Sequence, residues 1–261
     1  MITSDGWGSS LVTDVKVSVL FCTRLPIPHS TSIGSGDVAR AGWALPIAGA
    51  LVGGVGALTY GVTLAIGLPP MLAAATALAA TLSVTGCLHE DGLADTADGF
   101  GGGADRARKL EIMRDSRLGT YGACAIVMSV VLRWMSIAAI ASPLPVALAL
   151  IGAHTCARAA LPAFMHFVSP ARPDGLSAQA GRPTMRCAAV AVVLGVLTLG
   201  VALGLAATAI CLVLAISAGL FTGWLSMRQI GGQTGDVLGT LEQMTEILVL
   251  LTAVAVCRPQ P

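Results

Sequence analysis

Between Arg186 and Arg228 the chain runs through residues 187–227 without one Asp, Glu, Lys or Arg. As a helix that stretch would be about 60 Å long, roughly twice the hydrocarbon thickness of a bilayer. It is too long to cross once and long enough to cross twice, with Gly204 as the place to fold back. The remaining sequence has the same character. Only 11% of the 261 residues are charged and 55% are hydrophobic, whereas an ordinary globular domain carries about 25% charge. A soluble protein could not cover its surface with so few charges. The apolar content excludes a disordered chain, and a net charge of +1 argues against electrostatic binding of nucleic acid. Membrane lipid is the expected surrounding.

Charge-poor runs of about 20 residues recur near 43–67, 69–88, 118–141, 144–165, 187–203, 205–225 and 237–256. They predict an all-α, polytopic integral membrane helix bundle with about seven transmembrane helices, forming one domain over 1–261. The runs are continuously apolar, which disfavours a β-barrel. Glycines within them, such as Gly49, Gly53, Gly54 and Gly56, suit close helix packing. Segments joining odd to even spans hold no basic residue, while most Lys and Arg lie on the other side, which positive-inside bias makes cytoplasmic. Arg133 and Arg158 fall inside spans. Arg158 could snorkel to the interface or meet an anion; Arg133 has no evident role. Arg258 closes the tail, on the outer side for an odd number of spans. Leu11, Val15 and Val19 share a helical face, so residues 11–22 predict an amphipathic interfacial helix. Asp14 and Lys16 interrupt that stretch, so it does not read as a secretory signal. The seven Cys show no CxxC spacing and read as small core residues.

Seven of the 14 acidic residues fall between Glu90 and Asp115. Asp91, Asp95 and Asp98, spaced i, i+4, i+7, share one helix face. Like charges at that spacing repel, and hard carboxylate oxygens beside substrate phosphate suit Mg²⁺. Phe100-Gly-Gly-Gly103 is expected to break the helix after Asp98 and expose backbone N–H groups, of Gly101 and Gly102 among them. Arg106, Arg108, Lys109, Arg114 and Arg117 follow at once. Carboxylates for a metal, beside glycines and guanidinium groups for phosphate oxygens, describe a phosphate-handling site. A second polar patch runs Gly231-Gly-Gln-Thr-Gly-Asp236, with Gly232 in its turn; Glu242 and Glu246 follow one helical turn apart. Acids at such depth face a cavity or a partner. A third patch, Ser169-Pro-Ala-Arg172-Pro-Asp174-Gly175, is a loop by its turn residues.

The run from Leu88 to Gly103, continuing from Arg108 to Gly122, closely resembles the cobalamin synthase family (adenosylcobinamide-GDP ribazoletransferases). Phe21–Pro28, Ala171–Leu176 and Gly231–Gly239 with Glu242 and Glu246 resemble it too, in the family's order. The resemblance implies a Mg²⁺-dependent enzyme of the bacterial cytoplasmic (inner) membrane, with its site facing the cytoplasm. It would join adenosylcobinamide-GDP to α-ribazole 5′-phosphate or α-ribazole and release GMP, late in cobalamin assembly. Such phosphoryl transfer rests on positioning and charge neutralisation. Asp91, Asp95 and Asp98 are then the expected metal ligands, with Glu90 a fourth ligand or a base. Lys109, Arg114, Arg117, Arg172, Gly101, Gly102 and Gly232 are expected to bind substrate. Asp115 or Asp236 could complete the metal shell or accept the nucleophile's proton; His89 could do so or be structural. The Asp spacing does not match CDP-alcohol phosphotransferases, because Asp91-Gly92 is not followed by their Ala-Arg. The rival class is a transporter or channel with an acidic cation site, against which the polar clusters' placement at span ends weighs. A homo-oligomer is compatible with the sequence.

Overall fold

A computed structural model describes residues 6–28 and 34–257; Arg258 lies outside the described residues. The elements are α1 (Gly6–Cys22), α2 (Asp37–Ala41), a 3-10 turn (Gly42–Ala44), α3 (Leu45–Ala65), α4 (Pro70–Thr85), α5 (Leu88–Gly102), α6 (Arg106–Ile112), α7 (Thr120–Ile140), α8 (Pro143–Phe167), α9 (Leu176–Ala180), α10 (Met185–Ile230) and α11 (Gly235–Cys257). Among the described residues the β pairing amounts to one isolated parallel bridge, Pro170 to Gln233. The fold is the expected all-α membrane bundle.

Five helical stretches are long and apolar enough to cross a membrane, and the bent pair α4–α5 is a sixth candidate. The longest of the five is double. Gly204 (φ 80°, ψ 169°) interrupts α10, and both arms then lie along α8. A Cβ on Gly195 in the first arm would meet Ala159 and the Cα of Cys156. Cys211 in the second arm shares an apolar cluster with that same Cys156, and further on Gly223 faces Phe164 and Val168. The arms are therefore antiparallel, and α10 accounts for two crossings. Leu58, Val201, Leu205 and Leu220 remain 69%, 83%, 85% and 71% exposed, which in water would be an aggregation surface and in a bilayer is the lipid-facing one.

The core sits where α3 lies on α8. A Cβ on Gly49 would run into the His154 carbonyl oxygen, and one on Gly53 would lie 2.6 Å from the Leu150 carbonyl oxygen. Both contacts are with backbone, which cannot rotate away. Gly49→Ala is thus expected to destabilise the protein by about 1–3 kcal/mol through overpacking, read as a lowered thermal midpoint in detergent. Gly54→Ala, with nothing within 4 Å of its Cβ, should leave the midpoint unchanged.

Two local features aim the polar residues. Gly86 (φ 63°) and Cys87 (φ 56°) are consecutive left-handed residues, and they turn α5 by 85° from α4. A left-handed conformation is unfavourable for Cys; the Arg24 N–H, bonded to the Val84 carbonyl at 2.7 Å, and the Arg24 side chain over Gly86 clamp this corner. The first helix differs from expectation in its rotation. Its inward face is centred on Asp14, Ser18 and Cys22 and takes in Val19 and, in part, Val15 of the expected stripe, whereas Leu11 is 49% exposed. The cause is polar: Asp14 pairs with Arg40 and accepts from Trp43 Nε1 at 2.9 Å, while Ser18 Oγ donates to the Ala41 carbonyl at 2.9 Å. Leu11 and Val12 are left outward, as a helix at a lipid interface requires.

Candidate active site

The loop after α8 and the loop before α11 are zipped together. The Ala171 N–H donates to the Gln233 carbonyl at 2.8 Å and the Gln233 N–H to the Ser169 carbonyl at 2.9 Å. Gly232 permits this approach, because a Cβ there would overlap the Ser169 carbonyl and lie 2.7 Å from the Ala171 nitrogen. Gly232 is buried, so its place is in the joint between loops and not against a substrate, as the sequence had suggested. Helix α6 lies across the joint: Arg106 Nη2 donates to the Ala171 carbonyl at 2.7 Å and Arg172 Nη1 to the Leu110 carbonyl at 3.3 Å. The result is one cleft in which Arg172 meets Ser177, Gln233, Thr234 and Asp236.

Helix α5 brings two of its acids near Asp236, at the edge of this cleft. It lies on α11 through glycines: a Cβ on Gly92 would be 3.0 Å from the Asp236 Cα and 3.3 Å from the Gly239 Cα. Asp91, exposed, and Asp95, half-buried, thereby come within electrostatic reach of Asp236. Among the described residues none of these three carboxylates is in an ion pair. Asp98 is turned elsewhere. Its Oδ2 accepts from the Gly119 N–H at 2.7 Å and its Oδ1 from the Gly122 N–H at 2.8 Å, so it caps the otherwise unpaired first N–H groups of α7.

The glycine and basic candidates resolve unevenly. Helix α5 continues to Gly102 instead of ending after Asp98, so the N–H groups of Gly101 and Gly102 belong to a helical last turn and are not presented to a ligand. What Gly101 provides is room: the Tyr121 ring would stand 2.7–2.9 Å from a Cβ there. Lys109 Nζ bonds to Gln229 Oε1. Arg114 pairs with Asp174 at 2.6 Å and Arg117 with Asp115 at 2.5 Å, all of them solvent-facing. The hydrogen bonds from Arg117 hold the Asp115 carboxyl down at about 2, which makes it a weak proton acceptor near neutral pH.

A second assembly lies deep in the bundle, near the midpoints of α7, α8 and α11. Arg133 Nη1 is 2.9 Å from Glu90 Oε1 and 3.3 Å from Glu246 Oε1. Arg158 Nη1 is 2.7 Å from Glu242 Oε1, and His154 Nδ1 is 3.1 Å from Glu246 Oε2. Gln243 Nε2 donates to Glu90 and Glu242, each at 3.0 Å, and Ser129 Oγ donates to Gln243 Oε1 at 2.6 Å. All these residues are buried, Arg133 and Arg158 to 1% exposure. Glu90 thus faces away from Asp91 into the interior, and His89, with Nδ1 3.5 Å from Glu242 Oε2, belongs to the same network. Arg158 does not snorkel. His154, Glu242 and Glu246 form the one trio among the described residues whose donor atoms lie within 4.8 Å of one another, so Asp91, Asp95 and Asp98 do not by themselves close a cage. The signal for this network was present as charge: two arginines inside spans must find acids, and Glu242 and Glu246 are acids inside a span.

Residues 14–254 match the family model described as cobalamin-5-phosphate synthase. A Bradyrhizobium diazoefficiens protein is 55% identical over 246 residues, covering 94% of this chain and 95% of its own. A Mesorhizobium japonicum protein is 47% identical over 243 residues, covering 93% of each chain, and one from Azorhizobium caulinodans is 44% identical over 260 residues, covering 96% and 98%. All three are named adenosylcobinamide-GDP ribazoletransferase. No solved structure matches the chain. With the match spanning the clefted loops, α5, α11 and the buried network alike, the chain belongs to the cobalamin-5-phosphate synthase family of membrane enzymes.

Proposed function

We propose that this family member joins adenosylcobinamide-GDP to α-ribazole 5′-phosphate, or α-ribazole, and releases GMP, with its site at the cytoplasmic face of a bacterial inner membrane. The observation that carries the reading is that Asp91 and Asp95 from α5 stand within electrostatic reach of Asp236, which shares a cleft with Arg172, so that three separate motifs are brought to one side of the bundle. Mg²⁺ fits the donor set. Asp91 and Asp95 offer hard oxygens from α5, repelled by each other and by Asp236 on α11 and held by no ion pair among the described residues; a divalent ion, which takes one or two carboxylates beside substrate phosphate, would relieve that repulsion. Bound there it would neutralise charge on the diphosphate and the departing GMP.

The chain's own residues supply the rest. Arg172 keeps its Nε buried and without a partner, a donor suited to a phosphate oxygen at the cleft. Asp236, whose Oδ2 accepts from Thr234 Oγ1 at 3.1 Å, takes the proton of the ribose hydroxyl as that oxygen bonds to the cobinamide-side phosphorus. The bond from that phosphorus to the GMP oxygen breaks, and GMP leaves. Asp98 holds the N-terminus of α7.

The test is GMP release by the protein in liposomes supplied with adenosylcobinamide-GDP, α-ribazole phosphate and Mg²⁺, followed by chromatography. One GMP per corrinoid product is expected, none after chelation of Mg²⁺, and about a tenfold or larger rise in KM for the GDP substrate in Arg172→Gln. No GMP from substrates that the Bradyrhizobium relative consumes would overturn the reading. The mid-membrane network corrects the expectation that polar clusters sit only at span ends, and it is where a transporter places its site. Its carboxylates, however, are each held by Arg133 or Arg158, which leaves no open path for a transported ion.

A further inference from the structure

The fold of α10 makes a groove that the proposed reaction does not use. Its two arms and α8 enclose an apolar cavity of about 520 Å³, running from Cys156 to Val168 along α8 and lined from α10 by residues such as Val192, Gly195, Gly219 and Trp224. That stretch of α8 is about 18 Å long, close to the half-thickness of a bilayer core. Because the arms are antiparallel, both ends of α10 return to the C-terminal end of α8, and they carry Arg186 and Arg228 there. Arg182 precedes them, its Nε donating to the His166 carbonyl at 2.7 Å.

The charge at this mouth is one-sided. No Asp or Glu occurs between Asp174 and Asp236, and among the described residues Arg182, Arg186 and Arg228 are in no ion pair. The Arg228 guanidinium lies 5.1 Å from the centre of the Trp224 ring, and Trp224, itself 53% exposed, lines the groove. An indole beside a guanidinium at a helix end is the pattern of a membrane–water boundary. The cations therefore stand at head-group depth above a channel that is apolar for one leaflet.

We propose that this groove binds an anionic phospholipid, with an acyl chain between α8 and the arms of α10 and the phosphate group on Arg186 and Arg228. The apolar cavity takes the chain, and the unpaired cations select the head group. The occupant is a lipid of the inner leaflet and not a second copy of the protein.

Trp224 is the reporter. The protein is placed in phosphatidylcholine liposomes containing one-tenth brominated-acyl phosphatidylglycerol, or the same share of brominated-acyl phosphatidylcholine. Quenching of the fluorescence that Trp224→Phe removes is then compared. Phosphatidylglycerol is expected to quench at least threefold more, and the excess should disappear in the Arg186→Gln/Arg228→Gln double variant and shrink with added salt. Both arginines are exposed, so the variant keeps the fold; unchanged GMP release verifies this. Equal quenching by the two lipids would reduce the groove to ordinary lipid contact and overturn the proposal. So would no quenching at all, which would mean that another protein copy or a bound corrinoid covers it.

Discussion

Asp91→Asn and Asp95→Asn are each expected to slow GMP release by about 100- to 1,000-fold, the usual effect of removing one charge-stabilising group from a transition state. The thermal midpoint should stay the same or rise. Neither carboxylate is in an ion pair among the described residues, and removing one relieves repulsion with its neighbours across the cleft. The Mg²⁺ concentration for half-maximal rate should increase in both variants. Combining them should add little, because groups that act as one unit are not additive. Asp98→Ala provides the contrast. It strips the cap from Gly119 and Gly122 and should destabilise by about 0.5–2 kcal/mol, lowering activity in step with the folded fraction. Wild-type rates in Asp91→Asn and Asp95→Asn would remove the carboxylates from the chemistry.

The bundle was legible because bilayer thickness converts hydropathy directly into helix length. Even the fold-back at Gly204 follows from a charge-free run that is too long for one crossing, and the structure confirms it with a positive φ there. What periodicity could not supply was the partner of each polar side chain. Asp91, Asp95 and Asp98 share a face in projection, yet the N-terminus of α7 claims Asp98, and only the packing of α7 on α5 reveals that. Gly101 and Gly232 show a related difficulty: glycine marks close approach as readily as ligand binding, and in both cases the neighbour is the protein itself. Asp236 and Arg172 stand far apart in sequence from α5, and a loop-to-loop bridge of two backbone hydrogen bonds joins them to the cleft. Arg133, without a role in the sequence, turns out to anchor the interior.

Arg133→Met should be the most damaging of the substitutions considered. The network holds three carboxylates, Glu90, Glu242 and Glu246, against two guanidinium groups, Arg133 and Arg158. Removing Arg133 leaves two buried acids facing no arginine, a loss of about 3–5 kcal/mol for a broken buried ion pair. That is comparable with the whole stability of many proteins, so little folded protein should be recovered. Glu90→Gln tests the same balance from the other side. It keeps an oxygen for Gln243 Nε2 and leaves two carboxylates for two guanidinium groups, so its effect should stay within about 1 kcal/mol. The double variant Arg133→Met/Glu90→Gln restores the original excess of a single negative charge and should recover about 1–3 kcal/mol of the loss, the range of coupling between residues in contact. Thermal unfolding in detergent measures all three. Arg133→Met as stable as the wild type, or a double variant no better than Arg133→Met, would show that the arginine does not neutralise the interior acids. If the coupling is found, recovered stability should bring recovered GMP release, because Glu90 adjoins Asp91 on α5 and Glu242 lies on the helix that carries Asp236. The interior pairs would then fix the register of the two helices whose ends form the cleft.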